Sequence, residues 1–181
     1  MTHGFFERYT HEKLKKYTHE QMSYTYWFVF VYDRSDKDIL RARELNDKYL
    51  NRTITAEEKE EWIAGIKGAL NALDLQRIEW NVRLIGDFEL LRLCFRTKAW
   101  SHGDIPTASD FVRILDNIQR IRDTGMVMAD TPQVPAQPLT IYQKWNDIEK
   151  IMHDVTVIYS RTVKSIDYCG EIYAGERNGG L

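Results

Sequence analysis

Histidine and glutamate occur together twice near the start of the chain: Tyr-Thr-His-Glu at residues 9–12 returns at residues 17–20. Such pairs can build a metal site. On a helix, however, His11 and His19 would stand roughly 12 Å apart at 1.5 Å per residue, too far to share one ion. Neither pair has a third ligand beside it and HExxH is absent, so the segment reads as an amphipathic arm whose tyrosines pack. His102, in a Ser-His-Gly-Asp loop, has Asp104 two residues on, a possible base with its orienting carboxylate. No nucleophile is tied to it by motif. His153, beside Asp154 and outside the apolar register of its helix, reads as a surface residue. Asp74, Glu79, Asp87 and Glu89 crowd the central stretch, with Arg77, Arg83 and Arg92 interleaved. That is the pattern of a salt-bridged solvent face rather than of two carboxylates held apart for acid–base work. GxSxG, GxxxxGK[ST] and GxGxxG are also missing. The residues predict no catalytic site, no metal and no cofactor.

The totals bound the remaining classes. A chain of 181 residues suits one domain, and 43% apolar with 29% charged residues describes a globular protein. A net charge of −2 argues against a nucleic-acid binder that neutralises phosphates. Cys94 and Cys169 lie in no CxxC and suit a reduced compartment. The first residues lack the apolar segment of a signal peptide, and the most apolar run is too short to span a bilayer. Synthesis in a cytoplasm, without membrane association, is the expectation.

The elements that must position any site centre on residues 53–95. Thr55 and Glu58 form a capping box, and four glutamates load the following turns. Gly65 and Gly68 predict a bend or break, since each costs about 1 kcal/mol against Ala in a helix. Leu75, Ile78, Val82, Ile85, Phe88, Leu91 and Phe95 then step by three and four, which places them on one helical face. Before this stretch, Asp33 to Asp36 reads as a turn and cap leading into a helix over Asp36–Leu50. After it, Pro106 and a second box, Thr107 with Asp110, start a helix to Arg122 with Phe111, Leu115, Ile118 and Ile121 as its stripe; Gly125 ends it. Residues 126–138 hold three of the four prolines and read as an extended, semi-rigid linker. Over residues 139–159, Ile141, Trp145, Ile148, Met152, Val155 and Tyr159 keep a heptad register, which can pack within one bundle or between subunits.

Residues 24–32, Tyr-Thr-Tyr-Trp-Phe-Val-Phe-Val-Tyr, are the strongest strand signal, apolar on both faces. A strand needs a partner for its backbone. The broken β pattern of the tail, around Tyr168 and Tyr173, offers one; a neighbouring chain offers another. The expected fold is therefore mainly α: a bundle of three to five helices with a small β element pairing the N-terminal strand with the C-terminal tail or a neighbouring subunit. The expected organisation is an arm and strand over residues 1–32, a helical domain over 33–160, and an extended or β tail over 161–181. Leu75 to Glu79, Ile118 to Arg122 and Ile148 to Met152 look alike, as amphipathic helices with charged outer faces do.

Tyr-Asp-Arg-Ser-Asp-Lys-Asp-Ile at residues 32–39, followed by residues 57–82, resembles a module of phage and prophage virion proteins of Gram-positive bacteria. The shared text covers about half the chain. It includes Asp33, Arg34, Asp36 and Asp38, then Lys59, Glu61, Trp62, Gly65, Lys67 to Asn71, Asp74, Leu75, Arg77 to Glu79 and Asn81. Trp145-Asn146-Asp147-Ile148-Glu149 looks like the module's later helix. Gln76 and Ser35 depart from the pattern, which usually has Asn and Thr there. The resemblance implies a non-catalytic structural component of a tail, baseplate, neck or fibre attachment. Such a protein resides in the virion as a homo-oligomer in contact with other virion proteins. Tyr24, Tyr26, Trp27, Phe28, Phe30, Ile141, Trp145, Ile148, Met152, Val155 and Tyr159 are the candidate interface. Trp62, Leu75, Ile78, Val82 and Ile85 are the candidate module core. The alternative is a host-surface or carbohydrate-binding module, with Trp100, Tyr168 and Tyr173 as stacking platforms.

Overall fold

Four helices begin with the same chemical device, a carboxylate three residues into the helix that returns to the amide of the capping residue. The computed structural model describes residues 28–170 apart from Glu89 and His102, and the side chains of 166–170 are not included. Within it α1 spans Asp36–Leu50, α2 Ala56–Ala64, α3 Ala72–Gly86, α4 Ala108–Arg122 and α5 Tyr142–Gly170. Asp38 accepts from the Ser35 amide at 2.8 Å, Glu58 from Thr55 at 3.1 Å, Asp74 from Asn71 at 3.1 Å and Asp110 from Thr107 at 2.9 Å. The boxes at Thr55 and Thr107 and the bounds of α1 match the sequence expectation.

The break at the glycines is also present. Gly65 ends α2 with a φ of +94°, a conformation that disfavours any side chain. Gly68 lies so close to α1 that an added Cβ would sit 2.0 Å from the carbonyl oxygen of Asp38. The predicted stripe, by contrast, is not one helical face. Helix α3 stops at Gly86, and Phe88, Leu91 and Phe95 follow in irregular chain where Arg92 takes a positive φ of 45°. Phe88 is buried nonetheless and stacks on Tyr159 at 3.8 Å between ring centres.

Helices α3, α4 and α5 pack on one another around the principal core. Ile78, Val82, Ile85, Ile114, Ile118, Ile121, Ile148, Ile151, Met152 and Val155 are the heart of it, each almost fully removed from water. Burial on this scale contributes about 1.5–3 kcal/mol per large side chain. On α4 the inward face is centred on Ile114, Ile118 and Ile121, with Phe111 and Leu115 at its margin. Helices α1 and α2 pair with each other over a second, smaller core of Ala42, Leu45 and Ile66, flanked by Ile54, Trp62 and Ala69.

Two expectations require correction. Among the described residues there is no β-strand, and the C-terminal segment is helical through Gly170, including Tyr168. The hydroxyls of Thr162 and Ser165 bond back to the carbonyls of Ile158 and Arg161, so these residues join the helix instead of leaving it. The proline-rich segment, expected as an extended, semi-rigid linker, is packed on the helical body: Met126, Val127 and Val134 contact the core. Thr131 donates to Asp154 at 2.7 Å, Arg122 donates to the Pro132 carbonyl, and Lys144 donates to the carbonyls of Ala136 and Pro138.

Candidate functional site: a buried charge clamp on an extended segment

Residues 28–32 run along the groove between α3 and α5 without sheet hydrogen bonds, because side chains take the place of a partner strand. The Val29 carbonyl accepts from Asn81 Nδ2 at 2.8 Å. The Val31 amide donates to Glu149 Oε2 at 2.7 Å, and the Val31 carbonyl accepts from the Arg34 guanidinium. The Arg34 backbone is then held at both its polar ends by the Asn146 side chain. On the other side of the segment, Phe28 and Phe30 stack at 5.6 Å, Phe28 meets Phe88, and Phe30 and Tyr32 pack against His153. Three α5 residues, Asn146, Glu149 and His153, thus grip the segment from Arg34 back to Phe30.

Glu149 is the centre of the clamp. Its side chain is completely buried and accepts from Arg34 Nη2 at 2.7 Å, from Arg77 Nη2 at 2.8 Å and Nε at 3.2 Å, and from the Val31 amide. Asp74 uses Oδ2 to cap α3 and Oδ1 to receive Arg77 at 2.8 Å, with Arg34 at 3.5 Å. Two guanidiniums and two carboxylates therefore balance within one desolvated cluster, the condition under which buried charge is tolerated. Burial alone would pull the Arg77 pKa down; its bonds to Glu149 and Asp74 outweigh that and leave it raised. The reading of Asp74 and Glu79 as members of a solvent face is wrong, since both are buried. Asp74 does meet Arg77 three residues on along the same helix, but Arg34 and Arg113, the other partners of this pair of carboxylates, sit on other elements, where spacing along one helix cannot place them.

A second buried carboxylate lies on the opposite side of α3. Burial pushes the Glu79 pKa up, and pairing with Arg113 only partly offsets it. Glu79 Oε2 and the indole Nε1 of Trp100 are both buried without a hydrogen-bond partner among the described residues. On α5, Asp154 accepts from Thr131, from Lys150 at 2.9 Å and pairs with His153 Nδ1 at 3.0 Å. Burial would raise its pKa, but these three bonds together hold it below the ordinary value.

The predicted residues divide accordingly. Trp145, Ile148, Met152, Val155 and Tyr159 are buried in the chain's own core, so the heptad packs within the chain, while Ile141 is half exposed. Phe28 and Phe30 are partly buried against that core; Tyr24, Tyr26 and Trp27 fall outside the described residues. Leu75, Ile78, Val82 and Ile85 are core residues of α3, and Trp62 flanks the smaller core, stacked with Tyr49. Trp100 is only 7% exposed, its amide bonded to Gln76 and its ring covered by Lys98, so it presents no stacking platform. Tyr168 lies in α5 and Tyr173 outside the described residues. The roles of Glu149 and Asn146 escaped the sequence reading. The available signal was the stripe Asn146, Glu149, His153, which repeats the apolar Trp145, Ile148, Met152 one residue on.

A hollow of about 290 Å³ borders the clamp, lined by Val31, Asp33, Lys67, Asn71, Leu73 and Arg77 among others. Lys67 at its rim is bonded to Asp33 at 2.6 Å, and Arg77 is committed to the clamp. Among the described residues no group of three or more His, Cys, Asp or Glu could hold a metal ion, and no helix is long and apolar enough to cross a membrane. Compared with known proteins, the chain matches no family model, no curated protein and no solved structure.

Proposed function

We propose that the chain is a non-catalytic structural component of a phage tail, baseplate, neck or fibre attachment, acting as an oligomeric connector between virion proteins. The reading starts from the resemblance carried by residues 32–39, 57–82 and 145–149. One observation supports it: the polar residues of that text, Arg34, Asp74, Arg77, Asn81, Asn146 and Glu149, converge on a single clamp. The shared text thus spends its polar chemistry on fixing an extended segment to a helical body, as a connector requires. Its charges are compensated inside the fold, which suits a holding role better than a chemical one.

Mass spectrometry of purified particles, with light scattering and binding assays of the recombinant chain against neighbouring tail proteins, tests the proposal. The chain is expected in the particle, in a fixed copy-number ratio to a tail protein, and as an oligomer when alone. A strict monomer that is missing from particles and binds no tail component overturns it.

A further inference from the structure

In an extended chain the amide and carbonyl of successive residues point to opposite edges. The clamp uses one edge only: the Val29 carbonyl, the Val31 amide and the Val31 carbonyl all turn toward Asn81, Glu149 and Arg34. The amides and carbonyls of Phe30 and Tyr32 turn the other way. Among the described residues they have no hydrogen-bond partner, and Tyr32 is exposed. Among the described residues, one edge of the segment is therefore sealed by the side chains of Asn81, Glu149 and Arg34, and the other keeps the unpaired donors and acceptors of Phe30 and Tyr32, the arrangement to which an added strand binds.

We propose that this edge is a self-association surface, on which the same segment of a second copy adds as an antiparallel strand. Three observations favour a second copy. Helix α5 keeps the chain helical through Gly170, which removes residues 163–170 as an intrachain strand. The described segment, Phe28 to Tyr32, contains no charge, glycine or proline, so two copies can face each other without like-charge repulsion. Nearby ionic groups are already compensated, with Arg34 buried in the clamp and Asp33 bonded to Lys67. A two-fold axis lets both chains use the same edge, and the interface closes at a dimer. The inference rests on the oligomeric part of the connector reading and on nothing else in it.

The test compares the wild-type chain with Tyr32→Pro and Tyr32→Ala by sedimentation over a wide concentration range. Proline removes the outward amide while tolerating extended backbone, and neither Val31 nor Tyr32 lies in a helix that it would break. Alanine removes the ring and keeps the amide. The expected result is a dimer for wild type and Tyr32→Ala, and association weakened by about tenfold or more for Tyr32→Pro, a loss of some 1.4 kcal/mol. Amide exchange on the wild type gives a second readout that needs no variant: the Phe30 and Tyr32 amides should become protected as concentration rises. The proposal is overturned by a monomer at every concentration, by unchanged association of a folded Tyr32→Pro, or by protection that appears only with an unlike protein. A dimer of this kind in a chain missing from particles would sink the virion reading and leave the edge intact. Oligomers unaffected by Tyr32→Pro would do the reverse.

Discussion

Asn146 meets the backbone of Arg34 at both ends: its Nδ2 donates to the Arg34 carbonyl at 2.9 Å, and its Oδ1 accepts from the Arg34 amide at 3.2 Å. A side-chain amide has one donor end and one acceptor end, which is what one residue of a neighbouring strand would present. Asn146 thereby stands in for a strand at the point where the extended segment turns into α1.

Replacing Asn146 with Leu keeps the branched outline of the side chain and strands both Arg34 groups. Each buried group left unpaired costs about 1–3 kcal/mol, so a loss of about 2 kcal/mol or more is expected in urea denaturation. Asn146→Ser, which keeps one polar atom, should lose less.

Glu149→Ala should be the most damaging single change. It leaves Arg34 and Arg77 without their shared carboxylate, and breaking a buried pair in this way costs about 3–5 kcal/mol. A double-mutant cycle with Arg77→Met should show strong coupling, because the second change removes one of the stranded charges. Additive losses would contradict the clamp geometry.

Glu79 and Asp154 should tilt the pH dependence of stability in opposite directions. Burial raises the Glu79 pKa, so the folded chain holds that proton longer than the unfolded one. The stability tied to it is full below the ordinary glutamate value, about 4.3, and is lost as pH rises through the raised value. The Asp154 pKa is lowered, so its contribution is full above the ordinary aspartate value and is lost as pH falls through the depressed one. Denaturation midpoints across the acidic range should show the first slope vanish in Glu79→Gln and the second in Asp154→Asn.

Gly68→Ala should destabilise the chain by about 1–3 kcal/mol, the usual cost of forcing atoms into a filled site. The contact is with the Asp38 backbone, which has no rotamer to yield. Near-ultraviolet dichroism should place the change at α1 and α2, where Trp62 reports on the smaller core.

The local signals in the sequence carried over where the physics is local. Thr55 with Glu58, Thr107 with Asp110, and Gly65 act within one turn of chain, and each sits where its residue type requires. Periodicity identified Leu75, Ile78, Val82 and Ile85 as inward-facing. It could not show that the helix ends at Gly86, because Phe88 is buried from irregular chain just as it would be from a helix. The charged residues were least legible. Glu149 and Asp74 look like an outer face until Arg34, 115 and 40 residues away along the chain, is brought to them. Aromatic text at residues 24–32 signalled a strand, and its described part, residues 28–32, is not one. It did not reveal that Asn81 and Glu149 supply hydrogen-bond partners from helices.

The segment's direction has a mechanical consequence. From Arg34 back to Phe28 it passes Asn146, Glu149 and His153 in turn and reaches the neighbourhood of Tyr159 through Phe88, so it runs antiparallel to α5. The chain therefore enters the bundle at Phe28 from the same end toward which α5 leaves it. Tension applied between these two ends would not slide the segment along α5 against all its bonds together. It would peel the segment away, aromatic contacts first, then the Glu149 bond, then Asn146, so the attachment should yield stepwise and reseal in the reverse order.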